Sequence, residues 1–466
     1  MLILLVCIFL LSTVLFRKAA GNLNPGKLNM VSYVYYIFML QSFAGAALIS
    51  LGFDEHYTLA YLIDRNRSCF ITIVAIFSTS VMLPLFLLIF QKLFRAEVRS
   101  EYRNFLKSKV EIKQSLILKI CFSAVSLCAI LVLIGFLIKV GYIPLWRLVF
   151  HSDQFDPSLE RARISSIYFI HPYVTNILMM TVMPLLSYIS FSYFMIQKTR
   201  YWAIMATVLF IAAVLVKTYK FEKSPLIFHL LVYILIYLYF KGGIKFVYML
   251  LLGVIMGGII IAFYMATGFS GALADIYNGP LGRILFTEIG TLAYCFDMFP
   301  NIFPFLGGRS FTPTILKLIG MDSSKYLRSA ELTMAFYGSE RVYDGTAGVM
   351  NTLFIGEAYA NWGMLGAVLS IVWVALVISL LFCLILKMRK TPGTIAFLAV
   401  VTMRIGSMLE GGFCDFVYSF DLLFTIICFV SLYLFFERPG RLNDYMIAIE
   451  KKAELFYKKR TGKQNV

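Results

Sequence analysis

Glu357 is the residue whose type and place most need a chemical explanation. It lies in RVYDGTAGVMNTLFIGEAYANWG, residues 341–363, which leads into a run apolar enough to enter a membrane. A carboxylate there is costly unless something pairs with it or uses it, so an ionisable residue at membrane depth is a functional candidate by default. Glu357 suits a general base that takes the proton of an attacking hydroxyl, or a group that orients an arginine. The structural alternative is a buried ion pair, with Arg404 as the expected partner. Asn361 follows four residues later, on one helical face with Glu357, Met350 and Phe354 if 349–362 is helical. Glu410, with Asp415 in the stretch EGGFCDF, is a second candidate base.

Cations are the other chemical resource. Arg147, Arg161, Arg163, Lys217, Lys220, Lys223, Arg283, Arg309 and Arg341 fall in polar segments on the same side of the expected spans, and Arg404 sits inside one span. Guanidinium groups at a membrane surface suit phosphate or pyrophosphate, which arginine grips through paired hydrogen bonds. A lipid pyrophosphate is both such an anion and an activated leaving group. The cations would stabilise the charge that grows on it as its bond to sugar breaks. Structural readings stand beside these. Arg161 and Arg163, after the helix-start segment DPSLE, also fit a solvated charged face; Arg309, in LGGRS, an ordinary turn; and Arg404 a snorkelling side chain.

The missing motifs narrow the class. There is no Walker A loop, no dinucleotide fingerprint, no HExxH, no Gly-x-Ser-x-Gly and no Asp-x-Asp pair. This argues against an ATP-driven pump and a metal-bound nucleotide-sugar transferase. Neither metal nor cofactor is expected, and the energy of any reaction must arrive in the substrate. The eight cysteines lie mostly in apolar runs, without a CxxC, and read as small buried hydrophobes. Cys295 and Cys414 are the two outside them.

The elements that must hold these residues are membrane helices. Hydrophobic residues make up 60% of the 466 and charged residues 14%, nearly half the charged share of a soluble protein. Eleven apolar runs approach the length that crosses a bilayer: 2–16, 31–51, 69–90, 117–138, 173–196, 201–216, 225–240, 246–267, 363–386, 394–409 and 417–436. The first lacks a basic leading region and is expected to stay as an uncleaved span. The fold expected is an all-α polytopic membrane protein, one integral domain over 1–466, with a long outer segment at 268–362 and a basic cytoplasmic tail at 437–466.

Orientation follows from the cations, which accumulate on the cytoplasmic side. With the amino end outside, the cytoplasmic segments hold 26 of the 42 Lys and Arg but 7 of the 25 acids. The net charge of +17 is then a topology signal, with some attraction to anionic membrane lipids, and needs no nucleic-acid partner. Segment 268–362 is too long for an idle connection. Its aromatics and apolar stretches predict amphipathic or re-entrant helices on the outer surface.

The pattern FIGEAYANWGMLG after a long outer loop resembles oligosaccharide repeat-unit polymerases of the Wzy-type O-antigen and capsule polymerase family. GYIPLWR followed by ERAR, the turn EKSPLIF and the turn LGGRS agree with it, in order, from the fourth span to the last. Family members more often carry arginine where this chain has Lys223, which keeps the charge but not the two-pronged grip. The resemblance implies a GT-C-like transferase in the bacterial cytoplasmic membrane, with its active site on the outer face. A growing glycan would pass from its undecaprenyl pyrophosphate carrier to the non-reducing sugar of an incoming lipid-linked unit. The candidate catalytic residues are then Glu357, Arg404 and Glu410. Arg161, Arg163, Lys223, Arg283, Arg309, Arg341 and Asn361 would hold pyrophosphate or glycan, and a chain-length-regulating co-polymerase would be a partner. One rival is an O-antigen ligase of the same fold, which more often carries an Arg-His motif in the large loop; no histidine lies between 230 and 466. The other is a flippase for lipid-linked sugars, a class that typically shows internal repeats.

Overall fold

The computed structural model describes residues 1–112, 116–150, 157–222, 224–266, 275–277, 279–438 and 452. Among these the regular elements are all helical, and no strand occurs. Ten described helices are long and apolar enough to cross a membrane: Leu2–Lys27, Met30–Ser50, Arg65–Leu93, Leu116–Val140, Pro172–Gln197, Arg200–Thr218, Ser224–Lys241, Leu353–Leu386, Pro392–Gly411 and Phe413–Glu437. The chain is a polytopic helical membrane protein. The remaining expected span, 246–267, coincides with the helix Phe246–Ala266. The basic tail lies outside the described residues from 439 onward, save Lys452.

Helix ends follow local chemistry. Pro172, Pro280 and Pro392 each open a helix, where a missing N–H removes no intrahelical bond. Three of the described spans contain a wide π turn: Phe38–Phe43, Thr175–Val182 and Tyr433–Glu437. The second ends just ahead of Pro184, whose nitrogen cannot donate to the preceding turn.

The helices gather into two compact units, each built from segments distant in sequence. The first comprises 1–104, 243–387 and 401–419. In it Arg65–Leu93 packs along Leu353–Leu386 and Leu2–Ala20, and Pro280–Met298 packs against Arg65–Leu93, the 38–43 turn and Leu353–Leu386. Segment 268–362 was expected to carry amphipathic or re-entrant helices on the outer surface; its helix Pro280–Met298 is buried continuously from Ile289 to Met298. Seven of those ten residues are apolar, and the one charged residue, Asp297, is buried with four hydrogen-bond donors around it.

The second unit comprises 105–242, 388–400 and 420–466. There Pro172–Gln197 packs against Arg200–Thr218 and Ser224–Lys241, with Trp202 stacked on Tyr193 at 4.4 Å. Glu437 accepts hydrogen bonds from Tyr193 Oη (2.7 Å), Gly393 N (2.9 Å) and Thr391 Oγ1. A carboxylate so placed caps the orphan N–H groups that open Pro392–Gly411.

Asp297 ties the first unit together. It accepts from Ile63 N (2.7 Å), Asp64 N (3.0 Å), Ser68 Oγ (3.0 Å) and Tyr337 Oη (2.7 Å), so one carboxylate joins three stretches of chain. Burial alone would raise its pKa, but the four donors outweigh burial and hold it below the usual aspartate value. Asp297→Ala should cost about 3 kcal/mol, since two backbone N–H groups lose their acceptor; thermal unfolding of the detergent-purified protein measures this. A depressed carboxylate contributes fully above its unfolded pKa, about 3.9, and the contribution is lost as pH falls through the folded value. Asp297→Asn should flatten that acid limb of the stability profile.

Candidate functional site

The helix Leu353–Leu386 is broken. At Trp362 (φ −136°, ψ 17°) and Gly363 (φ 65°, ψ −155°) the backbone leaves helical geometry. The longer piece after the break begins where the ninth span was expected, at 363, and Glu357 sits on the short piece before it. A break strands backbone carbonyls, and buried carbonyls need donors. Leu306 N donates to Ala360 O (2.9 Å) and Gly307 N to Asn361 O (3.0 Å). The Asn361 side chain completes the lock: Oδ1 accepts from Gly308 N (3.0 Å) and Ser310 N (3.4 Å), and Nδ2 donates to Ser310 Oγ (2.9 Å) and Glu357 O (2.8 Å). Asn361, expected at the substrate, therefore has its amide fully engaged within the protein. The helix starts at Leu353, so Met350 is not on the Glu357 face; its N–H donates to Ala330 O instead.

Glu357 is 1% exposed. Its Oε2 accepts the Cys414 N–H at 2.8 Å, while Oε1 lies 3.6 Å from Arg328 Nε and has no hydrogen-bond partner. Arg328 Nη2 lies 3.5 Å from Asp415 Oδ2 and donates to Gly411 O at 3.4 Å. Residues 411–415 thus wrap the carboxylate. Glycine is required at 412, because a Cβ there would stand 2.3 Å from Glu357 Oε2. Burial works against the charge on Arg328, but Glu357 and Asp415 outweigh it and hold its pKa above the usual arginine value. With both carboxylates ionised, the three side chains carry a net charge of −1.

An apolar groove runs beside this cluster. Its cavity of about 450 Å³ is walled by Phe311, Trp362, Leu369, Trp373, Phe413 and Val417, a size that suits a bound small molecule or lipid chain. Phe413 is the immediate neighbour of Cys414, and Trp373 Nε1 donates to Phe416 O (3.1 Å), fixing one wall. The groove and the Glu357 cluster share the 413–417 turn.

The remaining expected site residues scatter. Arg309 is partly buried; its Nε donates to Leu306 O (3.2 Å), and its carbonyl accepts from Leu327 N (3.0 Å), next to Arg328. Arg283 and Arg341 are exposed, on the helices Pro280–Met298 and Ser339–Tyr343. Arg404, the expected partner of Glu357, is partly buried on Pro392–Gly411, and the arginine found against Glu357 is Arg328. Glu410 has other neighbours: Gln41, Tyr33 and Glu288. Burial, with the Glu410 charge added, pushes Glu288 up to about 8. Arg161 and Arg163 belong to the second unit, on the helix Pro157–Ser165. Arg161 bonds to Lys220 O (3.1 Å) and approaches Glu222, and Arg163 pairs with Glu160 (3.1 Å). Lys223 lies outside the described residues.

Arg328 carries no sequence signal that separates it from Lys317, Lys325 or Arg341 in the same segment. The glycine pair of EGGFCDF was the available cue for residues 411–415, since paired glycines mark close backbone approach. Among the described residues no group of His, Cys, Asp and Glu is arranged to hold a metal. No family model, curated protein or solved structure matches the chain. Gly412→Ala should push Glu357 off its Cys414 N–H and lower stability by about 1–3 kcal/mol. A fall in the thermal midpoint relative to the exposed Gly348→Ala control, where a Cβ meets open space, would register this.

Proposed function

We propose that this chain is a membrane glycosyltransferase of the oligosaccharide repeat-unit polymerase type, with Glu357 as its general base. The observation that carries the reading is a buried carboxylate on a broken membrane helix, with one oxygen fixed and the other without a hydrogen-bond partner. Such a group is held in orientation and still has a lone pair to offer. The adjoining groove is walled by apolar side chains, as a polyprenyl carrier needs. The resemblance of FIGEAYANWGMLG to Wzy-type polymerases supplies the substrate class.

In the proposed reaction the donor is a glycan on undecaprenyl pyrophosphate, and the acceptor is the terminal sugar of a second lipid-linked unit. The acceptor O–H gives its proton to Glu357 Oε1 while its oxygen bonds to the donor's anomeric carbon. The bond from that carbon to the pyrophosphate oxygen breaks, and the carrier leaves with the electron pair. Cations at the site stabilise the charge on the leaving group. Arg309, on the turn locked by Asn361, is the expected cation that the structure supports best for this role, because its backbone is pinned on both sides.

The test is polymer formation by the purified protein from one lipid-linked repeat unit, read on a gel. Glu357→Gln should lower the rate by about 10²–10⁴, the usual contribution of a general base, with the protein still inserted and folded. Wild-type-like chain length and yield from this variant would sink the assignment. Transport of the unit without any longer glycan would point to a flippase.

A further inference from the structure

Arg328 is poorly satisfied for a guanidinium facing two carboxylates. It has five donors. Among the described residues its one hydrogen bond goes to Gly411 O, and its carboxylate contacts are 3.5 and 3.6 Å. Charge-assisted N–H···O bonds are usually near 2.7–2.9 Å, so both ion pairs are loose. The side chain is 26% exposed, against 1% for Glu357 and 36% for Asp415. Arg328 therefore has donors to spare and a path to solvent or substrate.

The two carboxylates differ in exposure. Glu357 is fixed by the Cys414 N–H and by Gly412, which stands against its Oε2. Asp415 is the exposed member, on the five-residue turn of helix that also supplies Phe413 to the groove. A phosphate approaching Arg328 meets a cluster of net charge −1 and is repelled unless one carboxylate withdraws. Asp415, at 36% exposed against 1%, is the one nearer solvent.

We propose that Arg328 grips the phosphate of the lipid-linked substrate, and that Asp415 is its counter-ion until the substrate takes its place. This rests on the lipid-pyrophosphate reading of the same site. A phosphate on Arg328 would have its isoprenoid chain over Phe413 and along the groove wall of Trp362 and Trp373. Asp415 then sets a threshold: a ligand must offer a better anion than a carboxylate to enter. An internal competitor of this kind sharpens specificity, because weaker anions fail to displace it.

The test is binding, with no acceptor sugar present. The full chain in phosphatidylcholine nanodiscs is titrated with farnesyl pyrophosphate, farnesol and inorganic pyrophosphate. Asp415→Asn should bind farnesyl pyrophosphate about two- to five-fold tighter, the range expected for losing a partly exposed ion pair. Arg328→Ala should bind at least about ten-fold weaker, and Arg328→Lys should fall between, keeping charge without the fork. Unchanged or weaker binding by Asp415→Asn, or wild-type binding by Arg328→Lys, overturns the proposal. Farnesol binding as tightly as farnesyl pyrophosphate overturns it too, and equal affinity for inorganic pyrophosphate overturns the part given to the groove. The expected pattern in a protein that makes no polymer would sink the polymerase reading and leave Arg328 as an anion site.

Discussion

A membrane helix that breaks must find donors for the carbonyls it releases, because the surroundings offer no water to take them. The break at Trp362–Gly363 sets the rest of the site through that need. Leu306 and Gly307 come in to serve Ala360 and Asn361, and the Asn361 amide holds Gly308 and Ser310 behind them. The turn so fixed presents the Arg309 carbonyl to Leu327 N, which brings the next residue, Arg328, to the carboxylate one turn before the break. Carboxylate and guanidinium lie 29 residues apart in sequence, and the stranded carbonyls account for their meeting.

Other carboxylates in the chain show what a purely structural role looks like. Asp297 takes four hydrogen bonds and Glu437 three, so their oxygens are used up. Glu357 is as deeply buried as either, yet one oxygen has only an arginine at 3.6 Å. An acceptor left so incompletely paired costs stability that full pairing would recover. Residues that break local rules without compensation are expected at functional sites; Glu357 does so in this cluster, and Glu288 and Glu410, each with one buried oxygen lacking a hydrogen-bond partner, do so elsewhere in the first unit.

The spans were legible because hydrophobic length is a one-dimensional property. Even the start of the 363–386 piece could be read, since Gly363 ends one apolar pattern and opens another. Glu357 was legible for the same reason, as a charge in an apolar field. Burial of Pro280–Met298 was not, because a polar-flanked apolar run between spans fits a surface helix equally well until its neighbours are known. Arg328 was hidden more deeply: its role comes from a hydrogen bond between Leu327 and a turn 18 residues earlier, and no spacing encodes that. The Asn361 misreading has the same root. From sequence, an amide four residues after a candidate base looks free to meet a sugar, and only the break explains why the backbone needs it more.

The sign of the cluster gives the proposed chemistry its internal logic. With Glu357 ionised and the substrate's phosphate in the place of Asp415, Arg328 is shared between that carboxylate and that phosphate. A proton arriving on Glu357 removes one of those claims at once. In the proposed reaction that proton comes from the acceptor hydroxyl, at the step in which negative charge builds on the departing pyrophosphate. The guanidinium's hold on the leaving group then strengthens without its moving far, because its carboxylate contacts are already loose. Electrostatic stabilisation that strengthens only as charge develops lowers the barrier more than binding that is equal in ground and transition states. A tight, bidentate Arg328–Glu357 pair would lack this property, so the long contacts in the site are what the mechanism requires.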